Sequence, residues 1–168
     1  MRQVVNLGND ALKNAVLGEV VNFPSLTYMG QHAFQYASGP KIMVLPKISS
    51  TANYPVSDMP DIETIDIGPT WTQASFAGTG WYFSEDAKLT TLILRRSSVI
   101  GMPNINCFSG TPFASGGTGG TLYVPQSLVS SYQSASNWST ILGYAHNSIV
   151  AIEGSQYENY YADGTPIS

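Results

Sequence analysis

The chain has 168 residues, of which only 11% are charged, whereas charged residues make up about a quarter of typical soluble domains. Eleven acidic and seven basic residues give a net charge of −4. A nucleic-acid binder needs a basic patch that neutralises phosphates, and seven scattered cations cannot form one. No basic residue follows Arg96, so the last part of the chain has no polybasic segment for an anionic membrane. The composition predicts one folded domain with a polar but uncharged surface.

The N-terminal residues lack the apolar core of a secretory signal peptide. If Met1 is the native start, we expect the chain to be made in the cytoplasm and not to leave by the general secretory route. Residues 9–17 have Asn9 or Asp10 as a cap and Gly18 as a stop, which predicts a short helix. Residues 1–19 show too little apolar periodicity for a repeat, so we expect them to cap the array that follows or to dock it onto a partner.

Five short segments with alternating apolar residues follow. They lie at residues 41–46, 62–68, 89–94, 121–125 and 148–153. Their inner apolar positions recur every 23 to 30 residues, which is the period of leucine-rich repeats. The spacing predicts a β-rich leucine-rich-repeat solenoid with short parallel strands, irregular turns and one or two short helices. An antiparallel sandwich is the alternative, but its strands follow one another more closely.

The segment after Pro125 carries a second helix signal. Leu128, Val129, Tyr132 and Ala135 fall on one helical face, and Trp138 follows them as a lid over that face. Residues 154–168 form a tail in which the dipeptide at residues 163–164, Asp-Gly, predicts a hairpin turn. We expect this tail to cap the last strand or to add a strand to a partner.

Two stretches carry a family resemblance. Gly30, Ala33 and Phe34, followed by Leu45 and Pro46 at the end of the first predicted strand, match the BspA-type leucine-rich repeat, a family that the chain resembles over residues 20–153.

The second stretch resembles the terminal repeat of such arrays. There a strand with Tyr123 and Pro125 leads into a short helix that carries Tyr132 and ends near Trp138. The resemblance implies three parts of the chain: a cap or docking segment at residues 1–19, a repeat array at 20–153 that ends in a capping repeat, and a tail or hairpin at 154–168.

Proteins that this chain resembles are bacterial surface adhesins and structural proteins of phages that infect gut bacteria, and none of the family's motifs is catalytic. The resemblance implies a non-catalytic protein without a cofactor that binds a protein partner or forms a homo-oligomer in a larger assembly. We expect a virion component, associated with the capsid or tail and able to contact the host surface. The alternative is a bacterial cell-surface adhesin, or a fragment of one, that binds protein or glycan.

Exposed aromatic residues are the candidate binding groups. Trp71, Trp81 and Tyr82 flank a glycine-rich segment at residues 77–80, where aromatic rings can stack on sugars or on a protein partner. Packing in the core is the alternative for these three residues. Tyr160 and Tyr161 in the tail are the other two candidates.

Four carboxylates at Asp58, Asp61, Glu63 and Asp66 are the only candidates for a cation site. Oxygen ligands suit Ca²⁺, but the segment lacks the spacing and central glycine of a calcium loop. An extended strand would also place Asp66 on the opposite face from Asp61 and Glu63. We therefore expect a solvated strand edge and no metal.

Residues that could support catalysis are few and far apart in the sequence. Cys107 is the only cysteine, which excludes an intrachain disulfide, and its apolar surroundings predict a buried side chain. His32 and His146 have no further ligand or catalytic partner at a suitable spacing, so we expect polar surface roles for both. The glycine-rich segment at residues 109–120 has no lysine and precedes a strand, which predicts a flexible loop instead of a phosphate site. The sequence predicts that the protein is not an enzyme.

Overall fold

The computed structural model describes residues 3–76 and 81–160. Most of its strands belong to one parallel sheet of six, and three very short strands form a second parallel sheet. The larger sheet contains, in spatial order, β2 (Val20–Asn22), β4 (Ile42–Leu45), β6 (Thr64–Ile67), β7 (Thr91–Leu94), β8 (Thr121–Val124) and β9 (Ser148–Ala151). The smaller sheet contains β1 (Asn6–Leu7), β3 (Tyr28–Met29) and β5 (Ser50–Thr51).

Helices are short and lie late in the chain. Helix α1 (Val129–Ser134) and helix α2 (Trp138–Leu142) follow a 3₁₀ turn at Gln126–Leu128, and another 3₁₀ turn spans Ile105–Phe108. The segment after Pro125 thus has the helix that its one-faced apolar pattern predicted. Trp138, expected as the lid, is fully buried at the start of α2.

The register of the larger sheet places like residues on one face. Val21 pairs with Met43, Met43 with Ile65, Ile65 with Leu92, and Leu92 with Leu122. Because side chains alternate between the two faces of a strand, this row and the row two residues later point into a continuous core. The alternating segments at residues 41–46, 62–68, 89–94, 121–125 and 148–153 each contain one of these strands, so their predicted positions are confirmed.

The predicted leucine-rich-repeat solenoid is wrong. The described residues form two separate parallel sheets of three and six strands, with few helices and no closed solenoid. The interpretation failed because it counted one strand per period. It missed β1, β3 and β5, whose two residues are too short to show an alternation, and the smaller sheet ends at β5 while the larger one continues. All pairings are parallel, which also excludes the antiparallel sandwich for this part of the chain.

The helix predicted at residues 9–17 is also absent, and turns occupy that segment. Every second amide donates to the next turn of the chain, and the amides between them make only local turn bonds. The N–H groups of Asp10, Leu12 and Asn14 bond to carbonyl oxygens of residues 31, 33 and 35 at 2.8–3.0 Å. Asp10 and Asn14 also have left-handed backbone angles, which a helix cannot accommodate. This segment is therefore attached to the rest of the chain: Leu7 is part of the common core, and Leu12 and Leu17 pack against it.

Candidate docking interface

Of the five aromatic residues proposed for binding, two are buried. Trp71 and Tyr82 lie in the core, where their rings are 6.3 Å apart and both contact Phe76. Burial raises the pKa of the Tyr82 hydroxyl well above its usual value. These two side chains therefore pack in the core, which was the alternative to binding. Burying a large aromatic ring removes much apolar surface from water and so stabilises the fold.

The other aromatic candidates lie elsewhere on the chain. Trp81 is exposed, next to the segment 77–80 that lies outside the described residues. Tyr160 is exposed at the end of the described tail. Tyr161 and the hairpin predicted around residues 163–164 lie outside the described residues. Trp81 and Tyr160 come from distant parts of the sequence, and nothing in their contacts joins them into one site.

The four acidic residues separate in the structure. Asp58 accepts a hydrogen bond from the Gln35 amide at 3.0 Å, and Asp66 is fully buried against Arg95. The Gly39 N–H and the Lys88 ammonium both bond to Asp61 and lower the pKa of its carboxyl. Across residues 3–76 and 81–160, no group of three or more His, Cys, Asp or Glu side chains could hold a metal ion.

The histidines and the cysteine each have a local structural environment. His32 lies 3.7 Å from the Asp10 carboxylate and stacks obliquely on Tyr54, with ring centroids 5.4 Å apart. Nε2 of His146 lies 3.0 Å from the carbonyl oxygen of Ala114. Cys107 is buried, and burial raises the pKa of its thiol. A thiol with a raised pKa is a poorer nucleophile at neutral pH, since the thiolate is the reactive form.

The residues of the first motif support the packing of successive strands. Ala33, Phe34 and Leu45 are buried, and β4 ends at Leu45, immediately before Pro46. A Cβ on Gly30 would lie 2.5 Å from the backbone of the preceding turn, so only glycine permits this approach.

The residues of the second motif close the C-terminal part of the core. The Tyr132 hydroxyl accepts a hydrogen bond from the N–H of Ile100 at 3.0 Å, and Nε1 of Trp138 donates to the Ile100 carbonyl at 2.8 Å. Two side chains thus pair with the backbone N–H and C=O of the same residue, Ile100, as a neighbouring strand would. Burial raises the pKa of Tyr132 to about 12, so its hydroxyl stays neutral. β8 ends immediately before Pro125.

The described part of the tail, residues 154–160, folds back against the larger sheet. Nε of Arg95 donates to one oxygen of Asp66 and Nη2 donates to the other, both at 2.9 Å. The same guanidinium donates to the backbone carbonyls of Tyr157 and Tyr160. The ring of Tyr157 also packs edge-on against Tyr123, a motif residue on β8, with centroids 4.8 Å apart. A buried ion pair in the middle of the sheet therefore holds the tail in place.

A glutamine side chain ends the smaller sheet. Thr51 on β5 donates its N–H to Oε1 of Gln73 at 3.0 Å, and Nε2 of Gln73 donates back to the Thr51 carbonyl at 3.1 Å. The carboxamide has the donor and acceptor of a peptide group, so it occupies the place of a fourth strand. Arg96 holds the backbone of Gln73 through a hydrogen bond of 2.6 Å to its carbonyl.

The first strands of the two sheets, β1 and β2, have no such closure among the described residues. β1 is the first strand of the smaller sheet and β2 is the first strand of the larger one, so residues 3–22, here called the N-terminal end, carry an edge strand of each. In a parallel ladder alternate residues bond to alternate sides. Glu19 and Phe23 bond towards β4, which directs the N–H and C=O of Val20 to the outer edge.

Apolar side chains are exposed at the same end. Val16 is 84% exposed and Val20 is 47% exposed, and Val4 and Val5 are exposed as well. Leu7 and Val21 retain 8% exposure, whereas the residues paired with Val21 further along the sheet are fully buried. A cluster of exposed valines beside an open sheet edge is typical of a protein-binding surface.

Charges at the N-terminal end are neutralised in pairs. The Asp10 carboxylate lies 3.3 Å from the Lys13 ammonium, and Glu19 lies 2.8 Å from Lys41. The hydrogen bond and the charge of Glu19 raise the pKa of Lys41 above its usual value. These pairs are solvent-exposed and contribute little to stability. Their effect is a surface without a dominant charge, suited to contact through apolar and backbone groups.

Sequence reasoning missed this end because it began the series of strands at residue 42. One step of 22 residues back from Ile42 leads to Val20, and the same step leads from Ser38 to Val16; the structure pairs both couples. A shorter trial period would have found both valines. The Gln73 carboxamide has no comparable signal, since an isolated polar residue in a loop looks like any other.

Comparisons with known proteins found no matching family model, no matching curated protein and no matching solved structure. The resemblance to the BspA-type repeat therefore stays a prediction. No helix in residues 3–76 and 81–160 is both long and apolar enough to cross a bilayer.

Proposed function

We propose that the protein is a non-catalytic structural or binding component of a larger assembly, which it joins through its N-terminal end. The observation that carries this proposal is the coincidence of two edge strands, β1 and β2, with the exposed side chains of Val4, Val5, Val16 and Val20. Exposed strand edges pair readily with other chains, and soluble proteins usually protect them with charges, prolines or covering segments.

The environments of the reactive side chains support a non-catalytic role. The Cys107 thiol is buried with a raised pKa, and His32 and His146 lie against structural partners. The low charge of the chain also suits a surface that binds by shape and hydrogen bonds instead of by long-range attraction.

The assembly that we propose is a phage virion, with the chain associated with the capsid or the tail. The resemblance of Tyr123, Pro125, Tyr132 and Trp138 to the terminal repeat of BspA-type arrays supports this setting, because similar arrays occur in structural proteins of phages. The test is quantitative mass spectrometry of gradient-purified particles, in which we expect the chain at a constant ratio to the major capsid protein. Particles that lack the chain would overturn the virion setting.

A variant links the test to the N-terminal end. Val16→Lys adds a charge to the most exposed valine and should lower the amount of chain in particles at least tenfold. Val150→Lys is the matched control. Val150 is 38% exposed on β9, which is the edge strand of the larger sheet opposite to β2. Equal loss in both variants would show that the added charge, and not the N-terminal end, is responsible.

A further inference from the structure

We infer that the N-terminal end binds a second copy of this chain, with β2 of one copy pairing antiparallel with β2 of the other. This inference rests on the proposed function, because it names the partner of the same surface. Two identical edge strands related by a two-fold axis run antiparallel, and each then offers the other the same donors and acceptors. The N–H and C=O of Val20 face this edge.

The opposite end of the molecule fits the N-terminal end poorly. There the larger sheet ends in β9, but the smaller sheet has already ended at β5, where the Gln73 carboxamide occupies the edge. Tyr132 and Trp138 close the neighbouring part of the core from the helices. A head-to-tail stack would place β1 against these helices, with no strand to pair with. The N-terminal end of another copy is the surface of this chain that again offers an edge of each sheet.

The charges of the N-terminal end permit two copies to meet. Residues 3–22 contain three charged side chains, Asp10, Lys13 and Glu19. Asp10 pairs with Lys13, and Glu19 pairs with Lys41, so two copies do not bring unneutralised like charges together. The exposed valines then lose water when they contact the second copy, which favours association.

The experiment is sedimentation equilibrium of the full chain over a hundredfold range of concentration. We expect a concentration-dependent species with twice the monomer mass of 18.0 kDa. Val20→Lys and Val20→Glu should each weaken dimerisation at least tenfold, because the two-fold axis brings the added charges of both copies together. An equimolar mixture of these two variants should restore the dimer, since the charges are then opposite.

Hydrogen exchange identifies the strand pairing itself. The backbone amide at position 20 should exchange at least tenfold more slowly in the wild-type dimer than in the monomeric Val20→Glu variant. The amide of Val21, which bonds to β4, should change little. Val150→Lys should leave the dimer intact, because Val150 lies on the far edge strand.

Three results would overturn the inference: a wild-type chain that stays monomeric throughout, a dimer that Val150→Lys breaks as effectively as Val20→Lys, or a mixture of charge variants that does not reassociate. Circular dichroism of each variant shows whether it is folded before its mass is interpreted. Failure of the dimer is separable from failure of the proposed function. A monomeric chain that is present in particles overturns only the dimer, and a dimeric chain that is absent from them overturns only the virion setting.

Discussion

At Ile100 and at the end of the smaller sheet, side chains take over the hydrogen bonds that a further strand would make, whereas at the N-terminal end the strands β1 and β2 remain edges. Tyr132 and Trp138 form hydrogen bonds with the N–H and C=O of Ile100. The Gln73 side chain does the same for the N–H and C=O of Thr51 at the end of the smaller sheet. Among the described residues, no side chain does the same for Val20. The difference indicates where the chain is complete by itself and where a second molecule can add to it.

The largest loss of stability should follow from removing the Trp138 ring, which closes the core beside helices α1 and α2. Trp138→Ala removes a fully buried ring and its hydrogen bond to Ile100, and we expect the free energy of unfolding to fall by about 3–5 kcal/mol. Urea unfolding followed by circular dichroism measures this change. Trp138→Phe keeps most of the apolar volume but loses the donor, so its loss should be smaller. If the alanine variant is as stable as the wild type, the helices do not close the core as described.

The cap on the smaller sheet should have an intermediate effect. Gln73→Ala leaves the N–H and C=O of Thr51 without their carboxamide partner, which we expect to cost about 1–3 kcal/mol. Gln73→Glu is the control, because it retains an acceptor for the Thr51 N–H but has no donor for its carbonyl. Thermal unfolding of the three proteins should rank them wild type, Gln73→Glu, Gln73→Ala. An unchanged alanine variant would mean that water replaces the carboxamide without loss.

The carboxyl of Asp86 is fully buried, and only one of its two oxygens has a hydrogen-bond partner among the described residues. Its Oδ1 accepts the N–H of Met59 at 2.8 Å, but no described residue bonds to Oδ2. Burial, reinforced by the charges of Asp58 and Glu85, raises the pKa of this carboxyl well above its usual range. The folded state therefore holds a proton that the unfolded state releases near pH 4, so stability falls as the pH rises from about 4 towards the folded-state pKa.

Asp86→Asn should remove this pH dependence. The amide cannot ionise, so the variant should gain stability relative to the wild type as the pH rises above about 4, and the gain should level off once the wild-type carboxyl has ionised in the folded state. Unfolding in urea at a series of pH values from 4 to 9 measures the difference. Glu63→Gln is the control, because Glu63 is exposed. A constant difference across this range would contradict the raised pKa.

The smallest effect on folding should come from the open end. Val16→Ser removes an apolar side chain that is mostly in solvent, and the free energy of unfolding should stay within about 0.5 kcal/mol of the wild type, measured at a concentration where the chain is monomeric. Ile141→Ser, at a buried position in α2, is the contrasting change and should be strongly destabilising. Similar losses in both variants would contradict the difference between the two ends.

The predictable part of the fold was the part with a strong local pattern. Four-residue strands such as β4 and β7 are recognisable as short apolar runs, and Leu128, Val129 and Tyr132 mark a helical face. The two-residue strands gave no pattern, because an alternation needs more positions than β1 or β3 provides. Residues 9–17 have the capping signals of a helix, but alternate amides bond to residues 31–35 and the amides between them form only turns. Tertiary partners decided that segment, and a single sequence does not reveal them.

The candidate site was predicted less well than the strands. Aromatic residues were chosen as binding groups because they dominate interfaces, yet Trp71 and Tyr82 are in the core for the same physical reason, the large apolar area of their rings. Residues 1–19 were expected to cap or dock, but the valines that make the surface apolar were not identified. Exposure depends on which strand lies at the edge, and this follows only from the pairing order of the sheets.

Arg95 links the middle of the sequence to its end. Two of its acceptors are carbonyl oxygens that lie 62 and 65 residues further along the chain, at Tyr157 and Tyr160. During synthesis on the ribosome, Asp66 and Arg95 are made long before these carbonyls exist. Contacts between residues so distant in sequence also form slowly, because a long loop must close first. Residues synthesised much later therefore complete the surroundings of an ion pair made earlier, and a chain cut short before residue 157 would retain Arg95 without either carbonyl.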